Sequence, residues 1–138
     1  MRRRVVLGAS AVFAMTTFAA SPAHGAWVAI GHDTGGSLWY MDGDRITAEG
    51  SRIHAWIKID ASRDTSVKYR QAMEQYSFIC NEQKVRVISS VQYDSYGKVI
   101  KSASVPDSAY TEYGYDPVIP ESMGEAVMKI ACGFAEKR

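Results

Sequence analysis

The spacing of apolar residues predicts strands along the first two thirds of the chain. Side chains alternate between the two faces of a strand, so apolar residues at every second position mark one buried face. The clearest stripe is formed by Ile53, Ala55, Ile57 and Ile59, with His54, Trp56 and Lys58 on the other face. Two shorter apolar runs, at residues 27–30 and 38–41, end at turn-forming residues and predict two earlier strands.

More strands are predicted in the middle of the chain. Residues 67–80 are rich in Tyr, Phe and Ile and are interpreted as one long strand, although residues 72–74 are helix formers. In residues 85–93, alternation places four side chains on one predicted face: Val85, Val87, Val91 and Tyr93. The turn-forming residues 94–97 then predict a hairpin onto a last strand at residues 98–105.

A helix is predicted after Pro120. Met123, Val127 and Ile130 recur at helical spacing and form an apolar stripe. Acidic residues lie at its N-terminal end, where the helix dipole favours them, and Gly133 is expected to end it. The stripe needs a surface to bury itself against, and the predicted strands offer one as a sheet face.

The N-terminal segment has the features of an export signal. Three consecutive arginines precede an uncharged, largely apolar run that reaches Ala20, and the small residues Ala23 and Gly25 suit a signal peptidase. We expect residues 1–25 to be a cleaved signal peptide and residues 26–138 to be the exported domain. The apolar run is shorter than the roughly 20 residues that cross a bilayer. We therefore expect no membrane anchor after cleavage, and a periplasmic or secreted protein.

Removal of the signal changes the sign of the formal net charge. Without its three arginines the 16 basic residues become 13 against 15 acidic ones, so the formal net charge becomes −2 in place of +1. The remaining Lys and Arg are scattered singly among acids, whereas nucleic-acid binding proteins normally show a basic stripe. Nucleic acid is therefore not expected as a partner.

The two cysteines, Cys80 and Cys132, are expected to form a disulfide bond. An exported chain meets an oxidising compartment, in which a pair of thiols usually ends as a disulfide. The alternatives fit less well, because the sequence has neither a Cys-x-x-Cys redox pair nor Cys and His at zinc-ligand spacing. The bond would join the long predicted strand to the helix.

Several short motifs stand in a characteristic order between residues 27 and 133. They are Trp27, Trp39-Tyr40-Met41-Asp42 with Ile46, Trp56-Ile57-Lys58-Ile59-Asp60, Tyr69, residues 80–86, Tyr93-Asp94 with Gly97, and Pro120, Ser122, Glu125 and Cys132. In this order the chain resembles the surface-adhesin protein E family of bacterial envelope proteins. The resemblance implies an α+β fold, a single curved antiparallel β-sheet of about six strands with a C-terminal helix packed on one face and tethered by the disulfide.

The resemblance also implies a function. A protein of this kind would be an exported, non-enzymatic, adhesin-like binding module that contacts a protein, peptide or glycan of the envelope or host surface. The named adhesins of the family are lipoproteins, held by a lipidated cysteine just after the signal. This chain has no cysteine before Cys80, so we expect a free periplasmic or secreted protein.

Motifs of enzyme chemistry are missing from the sequence. The exported domain has two histidines, His32 and His54, both interpreted as surface or edge residues, and no glycine-flanked serine of a nucleophile elbow. Asp42-Gly43-Asp44 lacks the spacing of a calcium loop and is interpreted as a turn. No catalytic residue, cofactor or metal is therefore predicted. A small periplasmic hydrolase that uses unpaired Asp and Glu residues is the alternative function.

Aromatic residues are the candidates for partner binding, because Tyr and Trp bury much area with little rotamer freedom to lose. The candidates are Tyr96 in the hairpin turn, and Tyr110, Tyr113 and Tyr115 in the long loop at residues 106–120. The competing interpretation is that these rings cover a small core.

The sheet face opposite the helix is also expected to remain free for a partner. The hairpin edge near Tyr96 could pair with a second copy, so a homodimer is a further candidate.

Overall fold

The computed structural model describes residues 26–105 and 114–137. The predicted signal peptide, Tyr110 and Tyr113 therefore lie outside the described residues. Within them the elements follow the order β1 (Trp27–His32), β2 (Leu38–Asp42), β3 (Thr47–Glu49), β4 (Arg52–Asp60), β5 (Gln71–Ile79), a 3-10 turn (Cys80–Glu82), β6 (Lys84–Tyr93), β7 (Val99–Ser104), β8 (Asp116–Pro117) and α1 (Met123–Glu136). None of the described helices is both long and apolar enough to span a membrane.

All strands belong to one antiparallel sheet. Six of them form a continuous path in the order β1-β2-β4-β5-β6-β7, while β3 pairs with β4 and β8 pairs with β6. The predicted antiparallel sheet with one C-terminal helix is confirmed. The prediction of about six strands misses β3 and β8, which have three and two residues. Such short strands show too little alternation to be recognised in a sequence.

The helix and one face of the sheet form the core. The predicted stripe on β4 is confirmed, since Ile53, Ala55, Ile57 and Ile59 are all buried. Phe78 of β5 lies in the same cluster, together with Val127, Met128 and Ala131 of α1. The predicted apolar stripe of the helix therefore covers a sheet face, with its buried centre at Val127.

A bulge in β6 changes which side chains reach that core. Tyr76 of β5 pairs with Val87, whereas Gln75 pairs with Ser89, so Ile88 is an extra residue in β6. Directly paired residues lie on the same side of an antiparallel sheet. Val85 and Val87 therefore share the side of Phe78 and Tyr76, while Val91 and Tyr93 lie with Met73 and Gln71 on the other side. The predicted common face for all four is wrong.

Strand β5 is shorter than predicted, because residues 67–70 form an irregular bend held by one side chain. The Arg70 guanidinium donates to the carbonyl oxygens of Ala61, Asp64 and Val67, at 3.1, 3.0 and 2.8 Å. An arginine with this many backbone partners fixes a loop conformation rather than a strand. The helix formers at residues 72–74 lie in the strand, between β4 and β6.

The helix begins where predicted and ends later. Ser122 caps it, with its Oγ accepting from the Glu125 N–H at 3.2 Å, and the Glu125 carboxylate accepts from the Glu121 N–H at 2.9 Å. Gly133 does not end the helix, which continues to Glu136. Phe134 packs against the core, and this burial offsets the cost of about 1 kcal/mol for a glycine inside a helix.

The predicted disulfide bond between Cys80 and Cys132 is confirmed. Cys80 begins the turn directly after β5, and Cys132 lies in the last turns of α1. Their Cα atoms are 6.1 Å apart, within the range for such bonds. The bond ties the helix to a strand in the middle of the sheet.

Candidate partner-binding surface

The sheet has one face that α1 does not cover. Four side chains cross it in a row, because Tyr40 pairs with Lys58, Lys58 with Met73 and Met73 with Val91. Trp56 lies on the same face, two residues before Lys58 in β4. We call this surface the open face; its aromatic and apolar side chains, all partly exposed, are Trp27, Tyr40, Trp56, Met73, Val91 and Tyr93.

Lys58 lies between two aromatic rings of the open face. Its Nζ is 4.7 Å from the centroid of the Trp27 ring and 4.9 Å from the centroid of the Tyr40 ring. An ammonium group at these distances is attracted by the negative face of a ring, by about 0.5–1 kcal/mol at an exposed site. The three side chains therefore hold one another in place on the sheet surface.

A cleft lies at the end of the open face, next to the turn between β6 and β7. It has a volume of about 610 Å³ and includes Tyr40 and Lys58 of the open face. We call it the hairpin cleft; its remaining lining residues are Asp60, Ser62, Arg70, Gln71, Asp94, Ser95 and Gly97. Volumes of this size are typical of small-molecule sites.

The two carboxylates of the hairpin cleft are held by backbone N–H groups. Asp94 Oδ1 accepts from Tyr96 N and from Lys98 N, each at 2.9 Å. Asp60 Oδ1 accepts from Ser62 N at 3.0 Å. This backbone hydrogen bond, with the Ser62 hydroxyl and the nearby Lys58, holds the pKa of Asp60 below its usual value. Asp60 therefore remains ionised at neutral pH and serves as an acceptor.

The opposite end of the open face is closed by Tyr115. This residue, beside β8, is only 7% exposed. Its hydroxyl lies 2.7 Å from the Oγ of the buried Ser77, and the Arg52 guanidinium lies 5.7 Å from its ring centroid. Tyr115 is thus packed into the domain, which agrees with the alternative interpretation that its ring covers the core.

The predicted partner-binding tyrosines are separated by the structure. Tyr96 is 95% exposed in the turn that follows β6, whereas Tyr115 lies next to β8, which pairs with the start of β6. The ten residues of β6 separate them, which corresponds to a distance of about 30 Å at the usual rise per residue. Tyr110 and Tyr113 lie outside the described residues, so their role stays a prediction.

His54 is buried, which corrects its interpretation as a surface or edge residue. It lies on the open-face side of β4, is 9% exposed and pairs with Thr47 of β3 and Ser77 of β5. The unrecognised strand β3 lies beside it in the sheet. Burial lowers the pKa of His54, and Arg52 lowers it further, while Glu49, with Oε2 4.0 Å from Nε2, opposes the shift.

This lowered pKa predicts a loss of stability in mild acid. The unfolded chain takes up a proton near the ordinary histidine pKa of about 6.5, whereas the folded protein resists it. The free energy of unfolding should therefore fall as the pH drops from 7.5 to 5. The lowered pKa values of Asp60, Asp64 and Glu125 contribute mainly below the ordinary values of these groups, 3.8 for the two aspartates and 4.5 for Glu125, and therefore below this window.

Urea midpoints at pH 7.5 and pH 5 measure the effect. His54→Gln should reduce the pH-dependent change, and the matched variant His32→Gln, at an exposed position, should leave it as in the wild type. Equal changes in the wild type and His54→Gln would show that His54 does not cause the loss.

Sequence reasoning missed the hairpin cleft. Asp60 and Asp94 are distant in sequence, and the pairing that brings their strands together is not visible in either segment. One signal was present, namely the polar face of β4 with Trp56, Lys58 and Asp60 at every second position. This pattern indicated which face of β4 is open, but it did not indicate which strands lie next to β4. Among the described residues no cluster of His, Cys, Asp and Glu could hold a metal ion.

These features define a class of protein, a single-sheet α+β domain with a disulfide-linked helix on one side and partly exposed aromatic side chains on the other. The family model for surface-adhesin protein E matches residues 27–133. The chain therefore belongs to the surface-adhesin protein E family, which indicates an adhesin-like protein of the cell envelope or its exterior. No curated protein and no solved structure matches it significantly.

Proposed function

We propose that this protein is an exported, non-enzymatic binding module that contacts a macromolecule of the envelope or host surface through aromatic side chains. The open face and the turn that carries Tyr96 form the contact surface. The observation that carries the proposal is the row of partly exposed rings at Trp27, Tyr40 and Trp56 on the face that α1 leaves free. Such rings are rigid and amphipathic and are enriched in binding surfaces.

The lowered pKa values of three carboxyl groups suit these groups to accept hydrogen bonds from a ligand. A hydrolase built on two carboxyl groups needs one that keeps its proton near neutral pH, and therefore has a raised pKa. Asp60, Asp64 and Glu125 all have pKa values below the ordinary range, each held down by hydrogen bonds to its charged form. Ionised carboxylates of this kind accept hydrogen bonds from a ligand but do not donate a proton.

The proposal includes export, with a cut after Gly25. The Cys80–Cys132 bond supports it, because structural disulfides form in oxidising compartments such as the periplasm. The protein recovered from the periplasm or the medium should then begin at Ala26. Intact mass would show this directly, and a recovered protein that keeps Met1 or Arg2 would contradict the cut.

Capture of a partner by the exported protein tests the binding function. Protein purified from the periplasm and immobilised should retain a macromolecule from envelope extract or from a host-cell surface preparation. Trp56→Ala and Tyr96→Ala should each weaken this capture about tenfold or more, as loss of an aromatic anchor does. Ile119→Ala is the matched control, since Ile119 is apolar and 70% exposed but lies before α1. If all three variants bind like the wild type, the aromatic surface is not the site.

A further inference from the structure

We propose that the hairpin cleft is a binding site for a neutral saccharide, whose hydroxyl groups are held by Asp60, Gln71 and Asp94 against the wall formed by Tyr40. The inference rests on the proposed binding function and gives its ligand a chemical class. It follows from the charge, the hydrogen-bonding groups and the shape of the cleft.

The charges of the cleft favour a ligand without net charge. Lys58 and Arg70 balance Asp60 and Asp94. Neither cation is set as an anion clamp, because the Arg70 guanidinium donates to three carbonyl oxygens and the Lys58 ammonium lies over two rings. Sulfate, phosphate or carboxylate groups bind best to guanidinium groups that offer a free pair of N–H donors. A phosphorylated or sulfated ligand would also meet the two carboxylates.

The hydrogen-bonding groups suit hydroxyls. Asp94 is fixed through Oδ1 by two backbone N–H groups, and its Oδ2 accepts no hydrogen bond from residues 26–105 or 114–137. Asp60 is fixed in the same way by Ser62 N. Gln71 adds an exposed amide that both donates and accepts. A hydroxyl group likewise donates and accepts, so neighbouring hydroxyls of a sugar match a carboxylate beside an amide.

The shape of the cleft provides the remaining contact. Tyr40 supplies an aromatic wall that is held by Lys58, and the cavity of about 610 Å³ is large enough for a small-molecule ligand. Because the carboxylates and the ring already have their partners in the protein, little side-chain freedom is lost when a ligand enters. The arrangement combines an apolar wall with fixed acceptors.

A glycan array with neutral, sialylated and sulfated oligosaccharides tests the inference with the exported protein. We expect retention of neutral glycans and weaker retention of acidic ones. Asp94→Asn keeps Oδ1 for the turn but removes the charge, and Gln71→Ala removes an exposed amide. Each should reduce neutral-glycan binding about tenfold, while thermal melting stays as in the wild type. Asp116→Asn, at an exposed position of β8 outside the cleft, is the matched control and should bind normally.

Failure of this inference can be told from failure of the binding function. Preference for sulfated or sialylated glycans, or unchanged neutral-glycan binding in both cleft variants, overturns the saccharide site. The saccharide site is also overturned if the array shows no binding and partner capture persists after periodate has cleaved the vicinal diols of the partner. In that case the proposed binding function still stands. A protein that captures no macromolecule at all contradicts the proposed function itself.

Discussion

Replacing both Cys80 and Cys132 with serine is expected to lower the free energy of unfolding by about 4 kcal/mol. The bond closes a loop between residues separated by 52 positions, and a loop of that length removes about this much conformational freedom from the unfolded chain. In a domain of this size the loss is a large part of the total stability, which is typically about 5–15 kcal/mol. Urea unfolding of the exported wild type and of the double variant measures it.

Reduction supplies the control for this prediction. The wild type in the presence of a reductant should unfold at the same urea concentration as the double variant, and the reductant should not change the double variant. A difference below about 1 kcal/mol between oxidised and reduced wild type would contradict the chain-entropy argument. Two thiols that react with a probe in the folded exported protein would contradict the bond itself.

Tyr115→Ser is expected to lower the free energy of unfolding by about 3 kcal/mol, since truncation of a buried aromatic ring typically costs that much. Tyr115→Phe should cost about 1 kcal/mol. It removes the tyrosine hydroxyl and so leaves the buried Oγ of Ser77 without this hydrogen-bond partner. The graded loss from Phe to Ser would show that both the ring and its hydroxyl stabilise this end of the open face. Urea midpoints of the three proteins measure it.

The exposed hairpin tyrosine is the matched control. Tyr96→Ser should change the free energy of unfolding by no more than about 0.5 kcal/mol, as is usual for exposed positions, because its side chain is 95% exposed. If Tyr115→Ser is as stable as the wild type, Tyr115 does not belong to the packed interior. Its predicted role in partner binding would then gain support.

The parts of the fold that the sequence predicts well are those fixed by local periodicity. The buried stripe of β4 and the apolar stripe of α1 could be identified because each repeats with the period of its own element. The disulfide could be predicted because the chain has two cysteines and the predicted export signal implies an oxidising compartment. None of these inferences required knowledge of which strands are neighbours.

The parts that the sequence does not predict depend on neighbours. The bulge at Ile88 is set by the pairing with β5, so continuous alternation in β6 gives the wrong face for half of its apolar residues. His54 is buried, and one of its two neighbouring strands is the short strand β3. The hairpin cleft requires Asp60 and Asp94 to meet across three strands. Register and pairing are tertiary properties, and single-segment patterns carry little information about them.

The position of the disulfide also decides how the domain would respond to mechanical load. Cys132 lies near the end of α1, and Cys80 directly follows β5. A pull applied beyond Cys132 would pass through the covalent bond to Cys80 and the middle of the sheet, and would bypass the chain between them. That bypassed chain contains β6, β7 and Asp94 of the hairpin cleft. As long as the bond is intact, tension on the C-terminal end cannot draw this segment out into an extended chain.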